Sequence, residues 1–221
     1  MFEKHKVYAF IGMFGSGKTE IAINASLKMK ENYEKVAIAD IDTISPYFRT
    51  RDEFDYLSNQ GIKVLTPPAR YMKGDLPIID PSVGGFITNP DYKTVLDVGG
   101  NDFGAIVMSS LNNFVKSVDT ATCFVVNIRR PFTDSEEKIK ENLILLSQKA
   151  RVNITYLINN SNLMDETDQE TVSKGEKIIE SVSKDLNIPI LCTVISEEIS
   201  DNIETKFLKF PIKRFMKKIW D

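Results

Sequence analysis

Residues 11–20 read IGMFGSGKTE, and this stretch decides the fold. Gly12 to Thr19 fit the pattern G-x-x-x-x-G-K-[ST]. Glycines let such a loop fold around a phosphate group with its backbone N–H groups pointing inward, and the next helix presents its positive dipole end to the same anion. The stretch lies between an apolar run and a helical pattern, which is the context that this pattern requires. The sequence therefore predicts a phosphate-binding loop, or P-loop.

The residues of the P-loop have separate predicted roles. Lys18 is expected to reach the β- and γ-phosphates of a nucleotide and to act in catalysis, and the Thr19 hydroxyl is expected to bind Mg²⁺. We expect the remaining residues of this stretch to contact the nucleotide as well, namely Gly12, Met13, Phe14, Gly15, Ser16, Gly17 and Glu20.

Short apolar runs alternate with longer helical patterns along the rest of the chain. Seven of these runs are strand candidates, at 7–11, 36–40, 62–65, 94–98, 121–127, 154–159 and 188–195. Nearly all of their residues are apolar, which is typical of parallel strands covered on both faces. The alternation predicts an α/β fold of three layers, with a doubly wound, mainly parallel sheet of about seven strands between two layers of helices. In such sheets ligands bind beyond the carboxyl ends of the strands.

Composition and charge exclude several classes of protein. The chain has 221 residues, of which 42% are hydrophobic and 27% charged, and this suits a single α/β domain over residues 1–221. The formal net charge of −3 gives no strong nucleic-acid signal. No apolar run approaches the roughly 18 residues of a membrane span. Cys123 and Cys192 lie inside apolar runs, which favours a reduced, cytoplasmic protein.

Residues 94–104, TVLDVGGNDFG, combine a strand candidate at 94–98 with a second group of polar and glycine residues at its end. An apolar strand that ends in Asp97 is typical of a carboxylate that holds Mg²⁺ directly or through a water molecule. Asp97 and Gly100 also match D-x-x-G, in which the glycine N–H approaches the terminal phosphate and the loop moves when that phosphate leaves. The sequence therefore predicts Asp97 as a metal ligand and Gly100 as a phosphate contact.

Two aspartates, Asp40 and Asp42, leave the end of the second strand candidate in the pattern D-x-D. With the N-terminal P-loop and the D-x-G-G that begins at Asp97, they resemble the MinD/ParA/CobQ group of P-loop ATPases, over most of the chain and in the same order. That group belongs to the SIMIBI class, which also contains the signal-recognition GTPases. The resemblance implies that Asp42 positions Mg²⁺ and the attacking water, as a metal ligand and catalytic residue. It also implies ATP and Mg²⁺ as cofactors and a protein partner or homodimer.

The recognition of the base is expected after the strand candidate ITYLIN, residues 154–159. The resemblance implies that Asn159 reads the adenine edge, since an amide offers both a donor and an acceptor. A GTPase would normally carry N-K-x-D, whereas this chain has Asn159-Asn-Ser-Asn162, which favours ATP over GTP. The proline that the family often has near the base is replaced by Ser196.

Met13 marks a departure from the family. Many members carry a second lysine at this position, directly after the first glycine, and in the ATP-bound dimer it reaches the partner's phosphates. A methionine cannot stabilise developing negative charge. The arginines at 49, 51, 129 and 130 are candidate substitutes. We therefore expect a slow or partner-dependent ATPase that acts as a nucleotide-dependent switch. A small-molecule kinase and a non-catalytic nucleotide-binding subunit remain as alternatives.

Two further segments carry predictions. Residues 66–92 form a long loop rich in proline and glycine. This loop would either form the acceptor pocket of a kinase or only connect two elements of the fold. Residues 206–221 combine apolar and basic positions at helical spacing after Pro211, which predicts a basic amphipathic C-terminal helix. We expect that helix to pack on the sheet, with weak membrane-surface contact as the alternative.

Overall fold

The structure, a computed structural model, describes residues 1–42, 48–67, 79–100 and 102–216. Its strands form one sheet in the order β3-β2-β4-β1-β5-β6-β7-β8, and every neighbouring pair is parallel. The strands are β1 (Val7–Ile11), β2 (Val36–Ile41), β3 (Ile62–Leu65), β4 (Lys93–Val98), β5 (Thr120–Val126), β6 (Tyr156–Asn159), β7 (Ile190–Ser196) and β8 (Lys209–Ile212).

Helices cover both faces of the sheet. They are α1 (Lys18–Lys30), α2 (Phe54–Asn59), α3 (Val83–Thr88), α4 (Asp102–Ser110), α5 (Asn112–Lys116), α6 (Glu136–Ala150) and α7 (Gln169–Leu186). One buried apolar cluster joins the sheet to α3, α4, α5, α6 and α7, and a second joins the other face to α1 and α2.

Strand β1 explains why the strands are apolar on both sides. Val7, Ala9 and Ile11 belong to the first cluster, whereas Tyr8 and Phe10 belong to the second. Because successive side chains point to opposite faces, a strand buried between two helical layers needs an unbroken apolar run. The predicted three-layer α/β fold with a parallel sheet is therefore confirmed, with eight strands rather than seven.

The strand order places a ligand site at the centre of the sheet. The chain builds β2 and β3 on one side of β1, inserts β4 next to β1, and then continues with β5 on the other side. Such a reversal opens a crevice at the carboxyl ends of the central strands. The P-loop follows β1 and therefore lies at this crevice.

The prediction of a C-terminal helix is wrong for the part of that segment that the structure describes. Residues 209–212 form the edge strand β8, and residues 213–216 continue without helical structure. The apolar residues there alternate, since Phe210 and Ile212 are buried while Pro211 is exposed, which suits an edge strand. Residues 217–221 lie outside the described part of the chain.

The predicted long loop at 66–92 is described in part, because residues 68–78 lie outside the described ranges. Helix α3 forms within it, and the Thr94 hydroxyl donates to the Phe86 carbonyl (3.0 Å). Lys6 Nζ donates to the carbonyls of Asn89 and Tyr92. Lys6 precedes β1 and Thr94 lies near the start of β4. Residues 86–92 therefore pack at the amino ends of these central strands, opposite the end that carries the P-loop.

None of the helices within the described ranges is long and apolar enough to cross a membrane.

Candidate nucleotide-binding site

The P-loop joins the carboxyl end of β1 to the first residue of α1, Lys18. Gly17 precedes the helix in the left-handed conformation, with φ of 89°. A Cβ at Gly17 would lie 2.2 Å from Asn160 Nδ2, which no real contact tolerates. Both the backbone angle and the close approach of Asn160 therefore require glycine here. The free N–H groups of the first turn of α1 face the crevice, as phosphate binding needs.

Lys18 is buried within the crevice, with 6% of its surface exposed. Its Nζ donates a hydrogen bond to the Met13 carbonyl (3.1 Å). Burial lowers the pKa of Lys18, while the carboxylates of Asp97 and Asp42 act in the opposite direction. A Cβ added to Gly100 would lie 2.7 Å from this Nζ, so the loop after β4 comes into direct contact with the lysine.

Three aspartates converge beside Lys18. Asp40 and Asp97 are paired in register on the adjacent strands β2 and β4, and Asp42 follows one residue after β2. Asp97 is fully buried. Its pKa is raised to about 7, first by burial and then by the negative charges of Asp40 and Asp42, against the opposing effects of the Thr50 hydrogen bond and Lys18. A divalent cation at this point would relieve the repulsion among the carboxylates.

Only one of the two carboxylate oxygens of Asp97 has a hydrogen-bond partner among the described residues. Its Oδ2 accepts a hydrogen bond from the buried Thr50 hydroxyl (2.7 Å). Its Oδ1 is buried and has no hydrogen-bond partner among the described residues. An unpartnered carboxylate oxygen next to the P-loop fits an Mg²⁺ ion or its water.

The described residues hold no group of three or more His, Cys, Asp or Glu side chains arranged to bind a metal by themselves. That result agrees with the way in which Mg²⁺ usually binds, through one or two carboxylates together with substrate phosphates.

Asp40 is engaged by Arg51. Arg51 Nε donates to Asp40 Oδ2 (2.5 Å) and Arg51 Nη2 to the Asp42 carbonyl (2.9 Å). Burial raises the pKa of Asp40, and the bond from Arg51 opposes that rise. Arg51 therefore neutralises the carboxylate cluster and fixes the segment after β2 to it. Neither Arg51 nor Thr50 had a predicted role in holding the carboxylates, and no sequence pattern marks these contacts.

The Met13 side chain is partly buried and packs against the apolar cluster that α4 and α6 share with the sheet. The side chain therefore has a packing contact with the core. Its backbone has the local role, since the Met13 carbonyl accepts from Lys18 Nζ. Many members of the MinD/ParA/CobQ group carry a second lysine at this position. In this chain the position holds a methionine that makes a packing contact.

The candidate arginines differ in their surroundings. Arg130 Nε donates to the Gly15 carbonyl of the P-loop (3.0 Å). Arg129 Nη2 donates instead to the Thr171 hydroxyl on α7 (3.0 Å). Arg51 is held by Asp40, and Arg130 is a candidate that contacts the P-loop.

The predicted base-reading residue, Asn159, has a fully buried side chain. Its Oδ1 accepts from the Ser161 N–H (3.2 Å), and a Cβ at Gly175 of α7 would lie 2.7 Å from it. The next residue, Asn160, lines the cleft beside the P-loop, and its Nδ2 donates to the Ser16 carbonyl (2.7 Å). The structure thus places Asn160 in the cleft wall and Asn159 behind it.

Glu20, predicted as a nucleotide contact, lines the cleft but holds another segment. Its carboxylate accepts from the backbone N–H groups of Phe215 (3.0 and 3.1 Å) and Met216 (2.6 Å). Burial raises the pKa of Glu20, and these two hydrogen bonds act against the rise. This contact between the C-terminal segment and α1 was not expected from the sequence.

The fold occurs in several solved structures of low sequence identity. The cell division protein FtsY from Thermotoga maritima matches with a TM-score of 0.60 and 15% identity, over 86% of this chain and 62% of that chain. FtsY from Mycoplasma mycoides matches with a TM-score of 0.54 and 18% identity, over 83% and 58%. A nucleotide-binding protein from Archaeoglobus fulgidus, in complex with ADP, matches with a TM-score of 0.54 and 14% identity, over 88% and 84%.

The chain shares the α/β fold of these structures. It spans about six tenths of the length of the FtsY chains. No protein-family model and no curated protein sequence matches it. The likeness therefore shows the fold, and it does not single out the MinD/ParA group.

Proposed function

We propose that the chain binds Mg·ATP and acts as a nucleotide-dependent switch, with slow or partner-dependent ATP hydrolysis of the MinD/ParA/CobQ kind. One observation carries the proposal: the buried Lys18 of the P-loop lies in contact with Gly100 and next to the carboxylates of Asp42 and Asp97. A buried cation, a glycine loop and two acidic side chains at the mouth of a P-loop are the parts that bind a nucleoside triphosphate.

Each of these parts has a proposed role. Thr19, Asp42 and Asp97 would hold Mg²⁺, which supplies positive charge to the phosphates when it is bound. The P-loop N–H groups and Lys18 bind the phosphate oxygens. Gly100 follows β4 and lies against Lys18, so its backbone is suited to respond to the terminal phosphate. Asp42 orients the attacking water.

The identity of the nucleotide and of the partner belongs to the same proposal. ATP is favoured because the loop after β6 lacks N-K-x-D. ADP is bound by the Archaeoglobus protein of the same fold. A homodimer or another protein would complete a site that Met13 leaves without a second lysine.

The kinase alternative finds no support in the described part of the loop at 66–92. Residues 86–92 pack at the amino ends of β1 and β4, whereas an acceptor would meet the γ-phosphate at the carboxyl ends. A non-catalytic subunit remains the other alternative, and only a rate measurement separates it from a slow ATPase.

Binding of a fluorescent ATP analogue with Mg²⁺ tests the proposal. Lys18→Ala should weaken binding at least about tenfold, because it removes the cation that the phosphates meet. Lys28→Ala is the matched control on the same helix, since Lys28 is exposed and pairs with Glu31. Equal binding by wild type and Lys18→Ala would contradict the proposal.

Phosphate release from ATP, with and without small-molecule acceptors, tests the catalytic part. We expect the isolated chain to turn over far more slowly than the roughly 10 s⁻¹ of a typical enzyme. Turnover at such a rate by the chain alone would overturn the partner-dependent switch, and acceptor-dependent consumption of ATP would favour a kinase.

A further inference from the structure

The end of the cleft away from the P-loop is built by three separate segments. They are residues 162–167 after β6, residues 194–199 at the end of β7, and residues 212–216 at the end of β8 and after it. The P-loop end, at Gly15 and Gly17, suits phosphates, so the far end falls where a nucleoside would lie. The third segment comes from the C-terminal part of the chain, which none of the nucleotide-binding motifs includes.

Arg214 joins these three segments. It belongs to residues 212–216, and its Nη1 contacts Asp165 Oδ1 (2.6 Å) in the segment after β6. Its Nη2 donates to Glu198 Oε2 (2.7 Å) in the segment after β7. The guanidinium is mostly covered and itself lines the cleft. A planar guanidinium that meets two carboxylates fixes their separation, which a flexible lysine would not do as well.

The same C-terminal segment is tied to the helix that begins at the P-loop. Asn24 on α1 accepts from the Lys213 N–H (2.9 Å) and donates to the Lys213 carbonyl (2.8 Å). Glu20, one turn earlier, accepts from the N–H groups of Phe215 and Met216. The segment is therefore anchored from both sides of the cleft by side chains that engage its backbone.

The far end of the cleft is largely apolar. Met164, Ile199, Ile212 and Met216 line it, one or two from each of the three segments. Sites for flat, partly apolar ligands combine such a lining with a few polar groups that fix orientation. A methionine is well suited to lie against a base because its thioether is polarisable and its chain adapts to the ring.

We propose that residues 212–216 form the outer wall of the nucleoside site and that Arg214 is the positioning residue that holds this wall in place. The inference rests on the proposed function and adds the group that recognises the nucleoside half of the ligand. The P-loop then binds the phosphates without help from the C-terminal segment.

A comparison of two ligands tests whether residues 212–216 form the outer wall of the nucleoside site. The affinities of wild type, Arg214→Ala and Met216→Ala are measured for ADP and for inorganic tripolyphosphate, which has no nucleoside. We expect Arg214→Ala to weaken ADP binding about tenfold, or about 1.4 kcal/mol, and to leave tripolyphosphate binding within about twofold. Met216→Ala, which shortens one lining side chain, should have a smaller effect of the same kind.

Lys206→Ala is the matched control. Lys206 forms an ion pair of similar length with Glu180 (2.7 Å) on α7 and is not part of the cleft lining. It should bind both ligands as wild type does. Unchanged or tighter ADP binding by Arg214→Ala would overturn the inference, because the segment would then be irrelevant or an obstruction.

An equal loss of both ligands would also overturn it, since that is the result of a general structural defect. A wild-type chain that binds tripolyphosphate but not ADP would contradict the proposed nucleoside site, whereas the proposed binding of phosphates by the P-loop would stand. A wild-type chain that binds neither ligand would overturn the proposed function itself.

Discussion

At the scale of single residues, the site depends on which side chains reach the P-loop. The Met13 side chain packs against the core and brings no positive charge to the P-loop. Arg130 is bonded to the Gly15 carbonyl, whereas its neighbour Arg129 is bonded to Thr171 on α7. Two adjacent arginines therefore have different partners.

Replacement of Arg130 is the prediction that follows. We expect Arg130→Ala to lower the rate of phosphate release by about tenfold or more, because a cation at the transferring phosphate stabilises the charge of the transition state. The rate is measured by phosphate release at saturating ATP, with the partner present if one is required. Arg129→Ala is the control and should keep nearly the wild-type rate. Equal losses in both variants would show that Arg130 has no special role.

At the scale of secondary-structure elements, the D-x-G-G segment is held by the close approach of α4. A Cβ at Gly104 in α4 would lie 2.2 Å from the Gly99 carbonyl oxygen, a contact with backbone that cannot move aside. Gly99 in turn lies next to the Asp42 carboxylate, since a Cβ there would be 3.1 Å from Asp42 Oδ1. The first turn of α4 thus sets the position of Gly99, which lies between α4 and the Asp42 carboxylate.

A pair of glycine substitutions tests this packing. Gly104→Ala should lower the free energy of unfolding by about 1–3 kcal/mol, the usual cost of an inserted methyl group that has no room. Gly85→Ala in α3 should raise it by about 0.4–1 kcal/mol, because nothing lies within 4 Å and only the freedom of the unfolded chain is reduced. Urea denaturation measures both. A neutral effect of Gly104→Ala would contradict the close packing.

At the scale of the whole molecule, the fold buries acidic groups at the centre of the sheet. Asp97 is fully buried with a pKa raised to about 7 from the ordinary 3.8, first by burial and then by Asp40 and Asp42. The folded chain therefore binds more protons than the unfolded chain between these two values. The contribution of Asp97 to stability is fully present below the lower value and is lost as the pH rises towards the higher one.

This linkage predicts the effect of pH on the nucleotide-free chain. With a chelator present, the melting temperature should fall between pH 5 and pH 8, and Asp97→Asn should reduce that fall, by an amount on the order of a few kcal/mol in the free energy of unfolding. Asp40 and Glu20, whose pKa values burial also raises, keep part of the dependence in the variant. Thermal unfolding followed by circular dichroism measures it. Identical pH dependence in wild type and variant would be the contrary result.

The amino-acid sequence by itself determined the P-loop, the alternation of strands and helices, and hence the three-layer fold. These features depend on short-range patterns, namely glycine spacing and unbroken apolar runs between helical stretches. The sequence also predicted that Lys18, Asp42 and Asp97 lie on the ligand side of the sheet, and the structure places both carboxylates beside Lys18.

Only the tertiary structure decided which neighbours share the site. Asn159 and Asn160 are adjacent and identical in type, but successive residues at the end of a strand point to opposite sides, so one enters the cleft wall and the other the interior. Residues 209–212 became an edge strand rather than a helix because β7 offered unpaired backbone groups beside it. The contacts of Arg130 and Arg214 span more than 100 and about 50 residues, respectively, and depend on how the whole chain packs, which no local pattern encodes.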